Sequence, residues 1–223
     1  MERHFEEALR QLKQKLLEMS TYVETAIGKS IIAFKERNGK LAEEVVEGDN
    51  KIDMLEVEID NLAVKLLALM QPMAGDLRFI TSVLMINNNL ERLGDLGVNI
   101  AQRTLDLLKE PPVLKVGHIH GMADVAQKML KESLNAFVNN NVELAQKVCE
   151  MDDEVDQLNR KIFKELLDQM HKDSALIERS LDLILISKNL EKIADHVTNI
   201  CEEVIYIANG KIIKHHLTDN AGN

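Results

Sequence analysis

Apolar residues recur along most of the chain at intervals of three and four, the spacing that lines one face of an α-helix. The clearest run steps through Leu183, Ile186, Leu190, Ile193, Val197, Ile200, Val204 and Ile207. The pattern predicts six long helices, over residues 2–37, 41–70, 76–109, 119–139, 141–171 and 174–208. Asn38-Gly39 and Asn209-Gly210 follow the first and last of these, and glycine directly after a helix is a common stop signal.

The second half of the chain repeats the plan of the first. Residues 89–100 read Asn-Leu-Glu-Arg-Leu-Gly-Asp-Leu-Gly-Val-Asn-Ile, and residues 189–200 read Asn-Leu-Glu-Lys-Ile-Ala-Asp-His-Val-Thr-Asn-Ile. Six of these twelve positions are identical. Upstream, Phe34 and Leu41-Ala42 have counterparts 103 residues later, in Phe137 and Leu144-Ala145. The prediction is an all-α fold of two tandem homologous three-helix bundles with internal pseudo-symmetry.

The turn-forming residues between the halves set the predicted boundaries. Pro111-Pro112 ends the first half, because proline cannot continue a helix, and the glycines that follow are typical of a connection. We therefore predict a first three-helix repeat over residues 1–112, a linker over 113–121, a second repeat over 122–210 and a polar tail over 211–223.

Each predicted unit carries two acidic pairs at i, i+4, a spacing that puts both acids on one helix face. The pairs are Asp49/Asp53 with Glu91/Asp95 in the first unit, and Asp152/Asp156 with Glu191/Asp195 in the second. In each unit the two pairs are equidistant from the predicted helical turn. Antiparallel helices bring such residues to one level, so four carboxylates should meet in each unit. The helical wheel of the second unit turns them away from the hydrophobic seam, onto an open surface.

Four carboxylates at one level repel one another, by about 4 kcal/mol for a pair ~4 Å apart at an effective dielectric constant of 20. A multivalent cation with oxygen ligands would offset that repulsion, so the pattern predicts a metal site in each unit. Glu56, Asn99 and Asn199 are additional ligand candidates, although the two asparagines could instead simply cap the polar face. The alternative is that the acids form only a solvated surface.

Composition and charge exclude several other classes of protein. The chain has 223 residues, a formal net charge of −10 and no surplus of basic residues, which argues against nucleic acid as a partner. Its first residues, Met-Glu-Arg-His-Phe, do not form a signal peptide. No apolar run approaches the roughly 20 residues that span a bilayer. We therefore expect a cytoplasmic protein that reaches the membrane only through partners.

The doubled motif closely resembles the paired signatures of the PhoU family, regulators that accompany bacterial phosphate-specific transport. Residues 90–101 and 190–200 carry this resemblance, and Gln71-Pro-Met-Ala-Gly-Asp-Leu-Arg78 resembles the family's turn between the second and third helices. The resemblance covers about residues 5–210. It implies multinuclear clusters of Fe, Zn, Mn or Mg at the surface. The implied ligands are Asp49, Asp53, Glu91, Asp95, Asp152, Asp156, Glu191 and Asp195.

The resemblance also implies a function and partners. A member of this family would restrain phosphate uptake and the phosphate-starvation response when phosphate is plentiful, through contacts with the phosphate ABC transporter and a sensor histidine kinase. It would be a non-enzymatic homodimer. Two rival classes remain: a metal-dependent hydrolase that uses the carboxylate clusters, and a structural coiled-coil spacer. One departure from the pattern is that Glu56 and Asp60 of the first unit become Asn159 and Phe163 in the second.

Overall fold

The computed structural model describes residues 2–112 and 117–210, and within them it contains helices and no strand. The helices are α1 (Glu2–Glu36), α2 (Gly39–Gly48), α3 (Asn50–Met70), α4 (Ala74–Leu108), α5 (Gly117–Asn139), α6 (Val142–Glu150), α7 (Asp152–Lys172) and α8 (Ile177–Asn209), with a 3₁₀ turn (Ser174–Leu176) before α8. The predicted all-α class is confirmed. The predicted tail, 211–223, lies outside the described residues, as do residues 113–116 of the predicted linker.

The second helix of each unit was predicted as continuous and is interrupted in the structure. The break falls at Asp49 between α2 and α3, and at Met151 between α6 and α7. Both residues keep right-handed helical backbone angles, with φ −61° and ψ −38° at Asp49 and φ −73° and ψ −17° at Met151. The apolar spacing therefore continues across each break, which is why periodicity alone did not reveal it.

The predicted linker is too long, because α5 begins at Gly117 and so contains residues 117–121. Glycine disfavours a helix by about 1 kcal/mol relative to alanine, and two glycines here suggested a loop. The side chains of Ile119, Met122 and Ala123 are buried all the same. Packing of this face outweighs the low helix propensity.

Two long antiparallel helices from different units, α4 and α8, form the centre of the fold. The α1, α2 and α3 helices pack against α4, whereas α5, α6 and α7 pack against α8. Arg103 contacts Asp182 at 3.3 Å, and Asn89 contacts His196 at 2.9 Å. Both pairs have their midpoint between residues 142 and 143, as antiparallel helices require. Within the described residues no helix is long and apolar enough to cross a membrane.

Two glycines in the middle of α4, Gly94 and Gly97, lie where other helices approach closely. A Cβ added to Gly94 would lie 3.0 Å from Ile52 Cδ1 of α3. A Cβ on Gly97 would lie 3.5 Å from Ile27 Cγ1 and 3.6 Å from the backbone nitrogen of Ile27, in α1. Gly94 and Gly97 therefore face two different neighbours, and only Gly97 has room for a methyl group.

We expect Gly97→Ala to raise the free energy of unfolding by up to about 1 kcal/mol, the helix-propensity difference, because its Cβ makes only ordinary contacts. Gly97→Leu should lower the free energy of unfolding by about 1–3 kcal/mol, since a larger side chain collides with the α1 backbone. Urea unfolding followed by circular dichroism measures both changes. A loss above about 1 kcal/mol for Gly97→Ala would contradict the packing described here.

Candidate metal centre

The α3–α4 hairpin brings the acids of the first unit together. Asn87 of α4 donates from Nδ2 to the backbone carbonyl of Glu56 at 3.0 Å and to Asp60 Oδ1 at 2.9 Å, which sets the register of the two helices. Asp49 Oδ1 lies 3.6 Å from the position that a Cβ on Gly94 would take. The absent side chain at Gly94 therefore leaves room for the Asp49 carboxylate beside α4.

Charges on α3 and α4 influence one another across this hairpin. Burial raises the pKa of the Asp49 carboxyl, and Asp53 and Asp95 raise that pKa further. Burial is also the main cause that raises the pKa of Glu91, with Asp95 next and smaller contributions from Glu56 and Asp53. The predicted meeting of Asp49, Asp53, Glu91 and Asp95 at one level agrees with these mutual effects.

The α7–α8 hairpin repeats this arrangement in the second unit. Ser187 of α8 donates its hydroxyl to Asn159 Oδ1 of α7 at 2.8 Å, at the position where the first unit pairs Asn87 with Glu56 and Asp60. Burial raises the pKa of Asp152 to about 6, and Asp195, Asp156, Asp153 and Glu191 add to the shift. The pKa of Asp195 is raised by burial and then by Glu191. The four predicted acids of this unit therefore also lie within electrostatic reach of one another.

The clusters are less open than the helical wheel predicted. Only 20% of the Glu91 side chain and 15% of the Glu191 side chain is exposed. A helical wheel gives a direction relative to the helix's own seam, but it does not give the solvent exposure of a side chain in the folded protein. The two glutamates are therefore mostly buried, whereas Asp53 and Asp195 keep more of their surface exposed.

Basic side chains offset part of the carboxylate repulsion. Arg92 lies 3.5 Å from Glu91 and 4.0 Å from Asp95 in the first unit. In the second unit Arg160 pairs with Asp156 at 3.0 Å, and Lys188 pairs with Glu191. These basic residues are largely exposed, so each pair contributes little stability. The sequence argument had not considered these basic partners, and metal binding stays a prediction.

The donor set fits a cation that prefers oxygen ligands, provided that side chains rotate. In residues 2–112 and 117–210, no three Asp, Glu, His or Cys side chains already converge on one point as a metal site would require. Glu191 Oε2, however, is buried and has no hydrogen-bond partner among the described residues. A buried carboxylate oxygen that accepts no hydrogen bond and lies near other acids is available to bind a cation.

The additional ligand candidates differ in their surroundings. Glu56 belongs to the first cluster, since burial and the charges of Asp60 and Asp53 raise its pKa. Asn199 donates from Nδ2 to Asn89 Oδ1 at 3.4 Å, in the contact between α8 and α4. His196 Nδ1 also contacts Asn89 Oδ1, at 2.9 Å, so this half-buried histidine lies in the contact between α4 and α8. Asn99 is exposed, and ligation by either asparagine stays a prediction.

Sequence reasoning missed one polar pair outside the clusters. His118 Nδ1 lies 2.8 Å from Glu165 Oε2. The pair lines a cavity of about 480 Å³ with Gly117, Asp168, Gln169 and Lys172. The sequence carried no signal for this contact, because residue 118 was assigned to a linker. None of the eight predicted metal ligands lines this cavity.

The raised pKa of Asp152 predicts a pH-dependent stability. A carboxyl with a higher pKa in the folded state stabilises the fold while protonated, so its contribution is present near pH 3.8 and is lost as pH rises through about 6. Asp152→Asn should therefore gain stability relative to wild type between pH 4 and pH 7. Thermal melts in chelator at both pH values measure the change.

Asp153→Asn is the matched control for this prediction. Asp153 lies in the same first turn of α7, where an acid stabilises the helix N-terminus by about 0.3–1 kcal/mol, so both variants lose this contribution. Asp153 differs from Asp152 in that its side chain is exposed. An equal pH dependence in the two variants would contradict a special environment at Asp152.

Comparison with known proteins shows which protein family this chain matches. The PhoU domain matches the chain twice, at residues 16–104 and 119–204, and these ranges contain all eight predicted ligands. The phosphate-specific transport system accessory protein PhoU homolog of Aquifex aeolicus is 39% identical over 93% of this chain and 94% of its own length. Homolog 1 of Thermotoga maritima is 34% identical over 96% of this chain and 93% of its own length.

Two crystal structures resemble the fold closely. PhoU from Pseudomonas aeruginosa superposes with a TM-score of 0.91 at 34% identity, covering 93% of this chain and all of that one. The phosphate transport system regulatory protein PhoU from Streptococcus pneumoniae gives a TM-score of 0.87 at 29% identity, over 95% of this chain and all of that one. The doubled domain, the shared fold and the near-complete coverage lead to one conclusion. The chain belongs to the PhoU family.

Proposed function

We propose that this protein is a non-catalytic regulator of phosphate homeostasis that restrains phosphate uptake and the phosphate-starvation response. The observation that carries the proposal is the near full-length similarity to proteins named as accessory or regulatory components of phosphate transport. By this proposal it works in the cytoplasm as a homodimer and links the phosphate ABC transporter to a sensor histidine kinase. The hydrolase alternative gains no support, since the cavity beside His118 is lined by none of the clustered acids.

The regulatory role predicts a phenotype for gene deletion. A strain without the protein should express phosphate-starvation genes in phosphate-rich medium, because the restraint is gone. A reporter for those genes measures the effect, and reintroducing the wild-type gene should restore repression. Full repression in the deletion strain at high phosphate would contradict the role.

Metal binding at the acidic clusters is the second part of the proposal. The clusters supply only carboxylate oxygens, the donors that hard cations prefer and that Fe and Zn also accept. A bound cation would neutralise charges that burial and mutual repulsion already disfavour, as the raised pKa values of Asp49, Glu91 and Asp152 show. No arrangement of ions is assigned.

The two clusters should differ in affinity. In the first unit, Glu56 and Asp60 add to the four predicted ligands, and Arg92 is paired with two of the acids. In the second unit, Asn159 and Phe163 replace the two extra acids, while Arg160 and Lys188 both pair with ligands. More negative charge and fewer competing cations favour binding at the first unit.

The double variant Glu91→Gln with Asp95→Asn tests the first cluster. It should leave the fold intact and be as stable as wild type in chelator, because it removes repulsion without opening a core cavity. Wild type should gain about 2.7 kcal/mol at a metal concentration a hundredfold above the dissociation constant. The variant should lose the part of that stabilisation that comes from metal bound in the first unit. Melting curves with Mn²⁺, Mg²⁺, Zn²⁺ or Fe³⁺ measure this.

Two matched variants keep that experiment interpretable. Glu43→Gln with Glu47→Gln removes an exposed i, i+4 pair from α2, outside the clusters, and should behave as wild type. Glu191→Gln with Asp195→Asn should remove only the weaker, second-unit response. If none of the four metals changes the wild-type melting temperature, the clusters are simply a solvated acidic surface.

A further inference from the structure

The two cysteines of the chain, Cys149 and Cys201, lie side by side in the second unit. Cys149 is in the last turn of α6 and Cys201 is in α8, and these two helices pack against each other. The Cys201 thiol donates a hydrogen bond to the Cys149 sulfur. Both residues are free thiols, so the structure shows the reduced form of this pair.

The equivalent position of the first unit brings two apolar side chains together. Val46 of α2 and Ala101 of α4 precede Cys149 and Cys201 by 103 and 100 residues, the offsets that relate other features of the two halves. Ala101 belongs to a small buried cluster, and Val46 packs against that cluster. The duplicated fold therefore places these two positions close together in both units. Packing alone does not require sulfur there, because the first unit manages without it.

The two thiols differ in their surroundings. Cys149 is partly exposed, whereas Cys201 is fully buried. The hydrogen bond from Cys201 lowers the pKa of the Cys149 thiol, against the opposing effects of burial and of the charges on Glu202 and Asp152. The same hydrogen bond and burial raise the pKa of the Cys201 thiol. Cys149 is therefore the thiol that solvent reaches and that forms the nucleophilic thiolate more readily.

We propose that Cys149 and Cys201 form a redox-active site, which a hydroperoxide oxidises to an intramolecular disulfide between α6 and α8. Cysteines that respond to oxidants are typically accessible thiols with a second thiol beside them that reacts with the first product. In a reducing compartment such as the cytoplasm, a disulfide of this kind is transient and forms in response to oxidant. The inference depends neither on metal binding nor on phosphate regulation.

The reaction takes two steps. In the first, the Cys149 thiolate attacks one oxygen of hydrogen peroxide, so that a sulfur–oxygen bond forms, the oxygen–oxygen bond breaks and hydroxide leaves. The Cys149 sulfur is oxidised to a sulfenic acid, and the hydroxide takes up the proton that the thiol had released. In the second, the Cys201 sulfur attacks the Cys149 sulfur, and the departing hydroxide takes the Cys201 proton. Two thiols and one peroxide thus give one disulfide and two waters.

The second step needs only a local movement. The two sulfur atoms are already in hydrogen-bond contact, and a disulfide brings them to about 2.05 Å. The α6 helix has only 9 residues and is separated from α7 by the break at Met151. A small approach of α6 towards α8, with rotation of the two side chains, therefore leaves the α7–α8 hairpin in place.

The test treats the full chain, reduced and in chelator, with excess hydrogen peroxide. Remaining thiols are then alkylated with N-ethylmaleimide in denaturant and counted by mass spectrometry. Wild type should lose both thiols and the mass of two hydrogen atoms, trypsin should release peptides 148–160 and 193–211 joined together, and dithiothreitol should restore both thiols. Two thiols that are still alkylated, or that become sulfinic acids without a disulfide, would overturn the site.

Single substitutions test the order of the two steps. Cys201→Ala leaves Cys149, which should form a sulfenic acid that dimedone traps. Cys149→Val leaves Cys201, which should give no dimedone adduct in the folded chain and should react with N-ethylmaleimide at least about tenfold more slowly than Cys149. Both variants carry the first unit's residue, and circular dichroism verifies their folding. A dimedone adduct on Cys201 but not on Cys149 would overturn the order.

A displaced thiol is the matched control. Cys149→Val with Glu150→Cys moves the thiol one residue along α6 to an exposed position, so the chain keeps two cysteines but separates them. Peroxide should then form less than about a tenth of the wild-type intramolecular disulfide. As much disulfide in this variant as in wild type would overturn the argument from position. A wild-type crosslink between two chains of 25.2 kDa, in place of one within the chain, would overturn the pairing.

Discussion

The packing of α4 against α8 is the contact on which the rest of the structure depends. Each is the last helix of its unit, and Leu90 and Leu93 of α4 lie in the same continuous core as Leu190 and Ile193 of α8. The pairing also sends the two hairpin turns to opposite ends of the molecule. Glu91 and Asp195 then have their midpoint at residue 143, close to the midpoint of the observed contacts between these helices. Both acidic clusters therefore lie at the same height, halfway along the central helices.

Duplication has kept the framework of the two units and changed their surfaces. The hydrogen bond across each hairpin uses Asn87 in the first unit and Ser187 in the second, at equivalent positions. The partner of Ser187 is the neutral Asn159, where the first unit has acidic Glu56, and Phe163 takes the place of Asp60. At these two positions the first unit therefore has two acids, where the second unit has a neutral amide and an exposed aromatic ring. A single fold can present two surfaces with different chemistry.

The sequence predicted the features that repeat with the period of a helix, and it missed those that depend on a neighbouring helix. The apolar seam from Leu183 to Ile207 was enough to predict the helical class, and the doubled motif at residues 89–100 and 189–200 was enough to predict the duplication. The helical wheel could not reveal the burial of Glu91, because it describes one helix in isolation. The contact between His118 and Glu165 was hidden for a further reason: burial of Ile119 and Met122, not local propensity, makes that segment helical.

The acidic clusters are the part of the fold that packing does not explain. Asp49, Glu91, Asp152 and Asp195 all have raised pKa values, with burial as the first cause and neighbouring acids as the next. A protein optimised for stability alone would place neutral or basic residues at such positions, since each charge is held where its ionised form is disfavoured. Arg92, Arg160 and Lys188 reduce the repulsion but stay exposed, so they screen the clusters without satisfying them. Partly buried carboxylates that repel one another occur in both units, whereas the rest of the fold follows the rules of helix packing. Such a departure is expected at a functional site.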